Sequence, residues 1–176
     1  RLLCDMLPQR RIRALIPCVN AARRSQIEAL LPKFADLSVN LVDNDTRSAL
    51  VAANAAMIKS GTSTLEAMLL GRPMVVSYKL GSFSYRIASR LVDTPYIALP
   101  NILAGEELVP ELIQDAATPE ALARALLPLL DEDHESARRA GVFAEMHRQL
   151  RDGASGHGAN ATAALEISRL LSAHKR

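Results

Sequence analysis

Ser60, Gly61, Thr62 and Ser63, followed one helical turn later by Glu66, are the residue types that can hold a phosphorylated ligand carrying a diol. Gly61 lets a phosphate approach the backbone, and the hydroxyls of Thr62 and Ser63 are donors. Glu66 is placed to accept from both hydroxyls of a ribose. A helix opening here adds backbone N–H groups that lack intrahelical partners, together with the positive end of the macrodipole. The same letters have a purely local reading: Ser63 and Glu66 form an S-x-x-E capping box, in which each side chain satisfies an orphan N–H. The two readings are compatible.

The elements around this turn must aim it. Ala55 to Lys59 reads as a buried strand, Ser63 to Leu70 as a helix, Gly71-Arg72-Pro73 as its stop, and Met74 to Tyr78 as a second strand. Upstream, Ile12 to Val19 is a short apolar run without helical period and reads as a buried strand, and Leu37 to Val42 alternates as a strand does. Ala21 to Leu31 and Thr46 to Ala53 read as helices, the latter capped by Asp45. Downstream the pattern predicts a helix over Ser82 to Val92, a short strand over Tyr96 to Leu99 closed by Pro100, and a helix over Glu106 to Gln114. Thr118-Pro119-Glu120 is a strong helix start, leading to about Leu130. Helices over Glu135 to Leu150 and Ala159 to Ser172 follow, with Gly153, Gly156 and Gly158 between them. Alternating strands and helices predict a doubly wound α/β domain with a parallel sheet of about five strands over residues 1–130. A helical extension over 131–176 completes the chain.

Composition is compatible with one folded domain. The 176 residues are 49% hydrophobic and 23% charged, with net charge +2, too small to imply a nucleic acid partner. Cys4 and Cys18 suit neither a disulfide framework nor a zinc set, and a reducing compartment is expected. His134, His147, His157 and His174 share no metal-ligand spacing. No apolar run is long enough to cross a bilayer as a helix. The opening RLLCDMLPQRR reads as the tail of a helix from a longer protein, so the chain is expected to be a fragment.

The segment TLEAMLLGRPMVV resembles the nucleotide-sugar segment of GT-B glycosyltransferases, in which a Glu just inside the helix holds the ribose. VNAARR at Val19 to Arg24, PNILAGEELVPELIQ at Pro100 to Gln114 and ALLPLL at Ala125 to Leu130 narrow the likeness. Together they resemble the lipid-A-disaccharide synthase family, over roughly the C-terminal half of such an enzyme. The resemblance implies a Rossmann-like UDP-binding domain of an inverting transferase of lipid A biosynthesis. The donor would be UDP-2,3-diacylglucosamine and the acceptor 2,3-diacylglucosamine 1-phosphate (lipid X). No metal or other cofactor is implied. Helix dipole and basic groups would stabilise the leaving diphosphate instead. The general base would lie in an N-terminal domain outside this chain, leaving the fragment inactive alone.

Further site residues follow from strand ends and from the likeness. Asn101 lies just after the predicted strand Tyr96 to Leu99, where an amide could bind base, phosphate or sugar; it could equally be a turn residue following Pro100. The family motif favours function. Leu103 and Ala104 would supply backbone contacts, and Gly105 close approach at the next helix start. Arg23 and Arg24 open a helix after the first strand and could reach a diphosphate or a lipid phosphate, or be solvated. On Ser82 to Val92, Phe83, Ile87 and Leu91 form one row and Arg86 and Arg90 another. That pattern suits core packing with a wet basic face, and it also suits an anionic membrane surface. Peripheral association with the cytoplasmic face of the inner membrane is therefore expected. So is a homodimer, through a C-terminal swap that the family resemblance implies. The rival readings are a UDP-N-acetylglucosamine 2-epimerase-like enzyme, whose pattern lacks PNILAG and VNAARR, and a non-catalytic nucleotide-binding or assembly module.

Overall fold

The apolar runs without helical period fold as parallel strands. In a computed structural model of the chain, residues 1–79, 95–131, 134–152 and 158–173 are described, the side chains of 134–137, 159 and 173 excepted. After a short helix α1 (Leu2–Met6), strand β1 (Arg13–Cys18) pairs with β2 (Ser38–Asp43) from Arg13↔Ser38 to Cys18↔Asp43. Strand β3 (Ala56–Lys59) pairs with β4 (Met74–Tyr78), and β4 pairs with β5 (Glu111–Ile113). All three pairings are parallel, so each needs a crossover rather than a hairpin. Helix α2 (Ala21–Glu28) connects β1 to β2, α3 (Thr46–Ala52) leads into β3, and α4 (Thr62–Leu69) connects β3 to β4. The result is a Rossmann-like α/β fold. Among the described residues the five strands form two ladders, β1-β2 and β3-β4-β5, rather than the one sheet expected.

The helix starts follow local chemistry. Asn20 Oδ1 accepts from the Arg23 amide at 2.9 Å at the head of α2, and Asp45 accepts from the Ser48 amide at 2.9 Å at the head of α3. Thr118 Oγ1 accepts from the Ala121 amide at 3.1 Å, opening α6 (Pro119–Leu126) as expected; a 3₁₀ turn over Leu127–Leu130 then replaces its last turn at Pro128. Gly71 closes α4 with a left-handed φ of 64°.

Two expectations downstream of β4 are overturned. The strand over Tyr96 to Leu99 is absent; instead α5 (Leu99–Ala104) begins there, with Pro100 in its first turn, where a missing N–H costs nothing. The helix over Glu106 to Gln114 is replaced by β5 and a 3₁₀ turn over Gln114–Ala116. Pro110 explains this, because a proline there would break a helix and biases Val109 toward extended backbone. Gln114 takes a φ of 53°, so it is a turn residue and not a helix end. The expected helix over Ser82 to Val92 lies outside the described residues.

The core sits on both faces of β4. Met74, Val75 and Val76 are all at most 1% exposed, the continuous apolar run of a strand covered on two sides. On one face Met74 and Val76 pack with Ala67 and Met68 of α4 and with Phe143 and Met146 of α7 (His134–Asp152). On the other, Val75 packs with Leu126 and Leu129. Phe143 is 1% exposed, so α7 packs closely on this face of the strands. Beyond it, α8 (Gly158–Ala173) leaves Leu165, Ile167, Leu170 and Leu171 49–66% exposed.

Candidate functional site

The turn from β3 into α4 lies at the carboxyl end of a parallel strand, where folds of this class bind ligands. Its first residue is fixed from two sides. The Ser60 amide donates to Ser77 O at 3.1 Å, and Ser60 Oγ donates to Ile97 O at 2.8 Å. Gly61 is the N-cap, with φ 155° and ψ −167°, a region essentially reserved for glycine. Among the described residues nothing lies within 4 Å of the position a Cβ would occupy there, beyond its chain neighbours, which leaves the backbone open to an approaching group on that side.

The capping box does not form. Helix α4 begins at Thr62, one residue earlier than expected, and Gly61 has no side chain with which to cap it. Instead the buried Thr64 closes the turn, donating its hydroxyl to Gly61 O at 2.7 Å, with its amide on the same oxygen at 3.1 Å. Because Gly61 takes the N-cap position, Ser63 falls inside the first turn, where it cannot serve as one. The hydroxyls and amides of Thr62 and Ser63 therefore have no partner among the described residues. Glu66, half-buried one turn in, has no hydrogen bond to its carboxylate among the described residues. Lys59, adjacent to Ser60, holds its ammonium 5.4 Å from the centre of the Tyr78 ring, a cation at the strand ends that spacing did not single out.

Asn101 is placed differently from the expectation. It is fully buried, inside α5, and its side chain is saturated within the chain. Nδ2 donates to Val109 O and to Glu111 Oε1, both at 2.8 Å; Oδ1 accepts from the amides of Leu108 at 2.8 Å and Val109 at 2.9 Å. In this arrangement all four hydrogen-bonding positions of the amide are taken within the chain. Glu111, which the helical reading of 106–114 hid, accepts from the amides of Ile97 at 2.9 Å and Ala98 at 2.8 Å. The signal for it was Pro110, which marks a strand start rather than a helix interior.

The remaining candidates are dispersed. Helix α5 packs against α4, which brings Asn101 and the Ser60 turn into one neighbourhood. Leu103 and Ala104, with Glu106, line an open groove of about 520 Å³ whose other lining residues include Val142 and Met146 of α7. Gly105 ends α5 in the left-handed conformation, rather than opening a helix. Arg23 donates to Gln26 at 2.8 Å, and Arg24 is clamped by Asp43, both carboxylate oxygens at 2.9 Å, and by Glu28 at 2.9 Å. Asp43, and then Glu28, raise the Arg24 guanidinium above its ordinary value. Both arginines are exposed or half-exposed, and among the described residues no hydrogen bond joins them to the α4 turn. Arg86 and Arg90 lie outside the described residues. Among the described residues no group of three His, Cys, Asp or Glu side chains could hold a metal ion.

Residues 7–165 match the family model described as lipid-A-disaccharide synthetase. The chain belongs to that family. It is 51% identical over 150 residues to the lipid-A-disaccharide synthase of Pseudomonas aeruginosa (strain LESB58), covering 85% of this chain and 39% of that protein. It is 48% identical over 163 residues to the synthase of Pseudomonas putida (strain W619), with coverage of 93% and 42%. With the synthase of Sodalis glossinidius (strain morsitans) the identity is 49% over 152 residues, covering 86% and 40%. The chain thus spans about two fifths of the length of the curated relatives it matches. In the lipid-A-disaccharide synthetase family the Ser60–Glu66 turn, the α5 segment and β5 all fall within the matched region.

Proposed function

We propose that this chain is the UDP-sugar-binding part of a lipid-A-disaccharide synthase. The reaction would join UDP-2,3-diacylglucosamine to 2,3-diacylglucosamine 1-phosphate, giving the disaccharide 1-phosphate and UDP. The observation that carries the reading is the open Gly61 turn with the unbonded Glu66 carboxylate one helical turn behind it, in a chain of this family. The amides and hydroxyls of Thr62 and Ser63 hold the diphosphate, where the α4 N-terminus favours negative charge. Glu66 accepts from the ribose hydroxyls.

In the inverting step an acceptor hydroxyl attacks the anomeric carbon as the bond to the UDP oxygen breaks, and the hydroxyl proton passes to a general base. The negative charge gathers on the leaving diphosphate, which the α4 N-terminus and neighbouring cations stabilise without metal. In this reading the base lies outside this chain, so the chain alone binds UDP without turning over. The backbone of Leu103, Ala104 and Gly105 borders the sugar, and Arg23, Arg24, Arg86 and Arg90 serve phosphate or lipid headgroups. No helix among the described residues is long and apolar enough to cross a membrane. Membrane contact in this reading is peripheral, on the cytoplasmic side of the inner membrane, and the C-terminal helices mediate self-association.

The test is calorimetric titration of the full-length enzyme with UDP, beside Glu66→Ala. Wild-type binding and at least a tenfold loss in the variant, with thermal stability kept, are the expected results. Equal affinities would sink the assignment of Glu66, and wild-type protein that ignores UDP would sink the reading as a whole.

A further inference from the structure

Glu111 accepts three hydrogen bonds from one segment of chain, and no cation pairs with it among the described residues. Oε2 takes the Ile97 amide at 2.9 Å, while Oε1 takes the Ala98 amide and Asn101 Nδ2, each at 2.8 Å. Its backbone is anchored as well: β5 runs in register with β4 from Val76↔Glu111, and the Val76 amide donates to Pro110 O at 2.8 Å. An ionised acceptor holding two consecutive amides fixes their peptide planes more firmly than neutral acceptors would.

The far side of that segment touches the ligand turn. Ile97 offers its amide to Glu111 and its carbonyl to the Ser60 hydroxyl at 2.8 Å, and Gly61 follows Ser60 directly. A continuous path therefore runs from β5 through Ile97 to the turn, and among the described residues Ile97 O is the sole partner of the Ser60 hydroxyl. We propose that Glu111 is a positioning residue for the nucleotide site, holding Ile97 and Ala98 so that the Ile97 carbonyl sets the Ser60–Gly61 turn for the diphosphate. This inference rests on the UDP-binding reading of that turn.

A neutral glutamine keeps the size but turns one donor toward a donor, so it breaks the clamp on Ile97 or Ala98 without leaving a void. In the full-length enzyme, Glu111→Gln is expected to weaken UDP at least tenfold and raise the donor KM, with the acceptor KM unchanged. The amides of Ile97 and Ala98 should exchange hydrogen faster. Ser60→Ala cuts the same path at its other end, so the double variant S60A/E111Q should lose less affinity than the product of the two single losses. Glu111→Asp, one methylene shorter, provides the same comparison if the glutamine variant does not fold. UDP affinity within twofold of wild type in a variant whose Ile97 and Ala98 amides have lost protection would overturn the inference, as would multiplicative losses in the double variant. Wild-type protein that fails to bind UDP would instead remove the reading on which the inference rests.

Discussion

Asn101 and Glu111 stand ten positions apart and are joined directly, Nδ2 to Oε1, at 2.8 Å. One lies in α5 and the other in β5, and the bond ties the helix to the strand across the loop between them.

Removing the Asn101 side chain leaves the amide and carbonyl of Val109 and one bond of Glu111 unsatisfied inside the protein, while the Leu108 amide keeps Glu106 O at 3.1 Å. Asn101→Ala should therefore lose about 3 kcal/mol of stability, from one to three kcal/mol for each orphaned buried group with partial relief by water. Its activity loss should follow its loss of folded protein. Chemical denaturation alongside kinetics checks this, and full stability with impaired activity would return the residue to direct ligand contact.

A methyl group at Gly61 meets no neighbour among the described residues, yet the backbone there sits at φ 155°. Gly61→Ala should cost about 1–3 kcal/mol through strain alone. UDP affinity should fall as well, because the side chain enters the space in front of the turn. Melting and titration of the same sample would separate the two effects.

Phe143 is 1% exposed among Met68, Met74 and Val76. Phe143→Ala should destabilise by roughly 3–5 kcal/mol, the usual loss for a large aromatic cut back in a core. A change below about 1 kcal/mol, a surface-like response, would mean that α7 is peripheral after all.

Asp45 is held below the usual carboxylate range, chiefly by the Ser48 hydroxyl and then by the Ser48 amide. A carboxylate with a lowered folded-state value stabilises above its unfolded value of about 3.9. That contribution disappears as pH falls through the lowered value. Asp45→Asn, which cannot titrate, should melt below wild type at pH 6, and the gap should shrink on acidification toward pH 3. Melting curves across that range are the measurement, and a gap independent of pH would show that the charge contributes nothing.

Sequence carried most of the first 79 residues. The strands there are short apolar or alternating runs, the starts of α2, α3 and α4 each have a side-chain cap or a glycine, and Gly71 stops α4 as its type suggests. The α4 N-terminus was misread by one residue because S-x-x-E is locally sufficient. The strained Gly61 backbone, which moved the cap, is set by tertiary packing. Between Tyr96 and Gln114 the errors had a different origin. Pro110 bars the expected helix, and β5 is only three residues long, held by its pairing to β4 rather than by its own propensity. Asn101 could be found by its motif, but its four bonds come from residues seven to ten positions away, which no local pattern displays.

The Glu111 carboxylate also has a bearing on inheritance. Three donors converge on it, so a replacement that carries no oxygen strands all of them in a single step. Sequence drift at 111 is thereby chained to 101 and to the conformation at 97 and 98. A descendant that abandons the acid must acquire another acceptor at the same moment, and the loop is passed on whole or rebuilt whole.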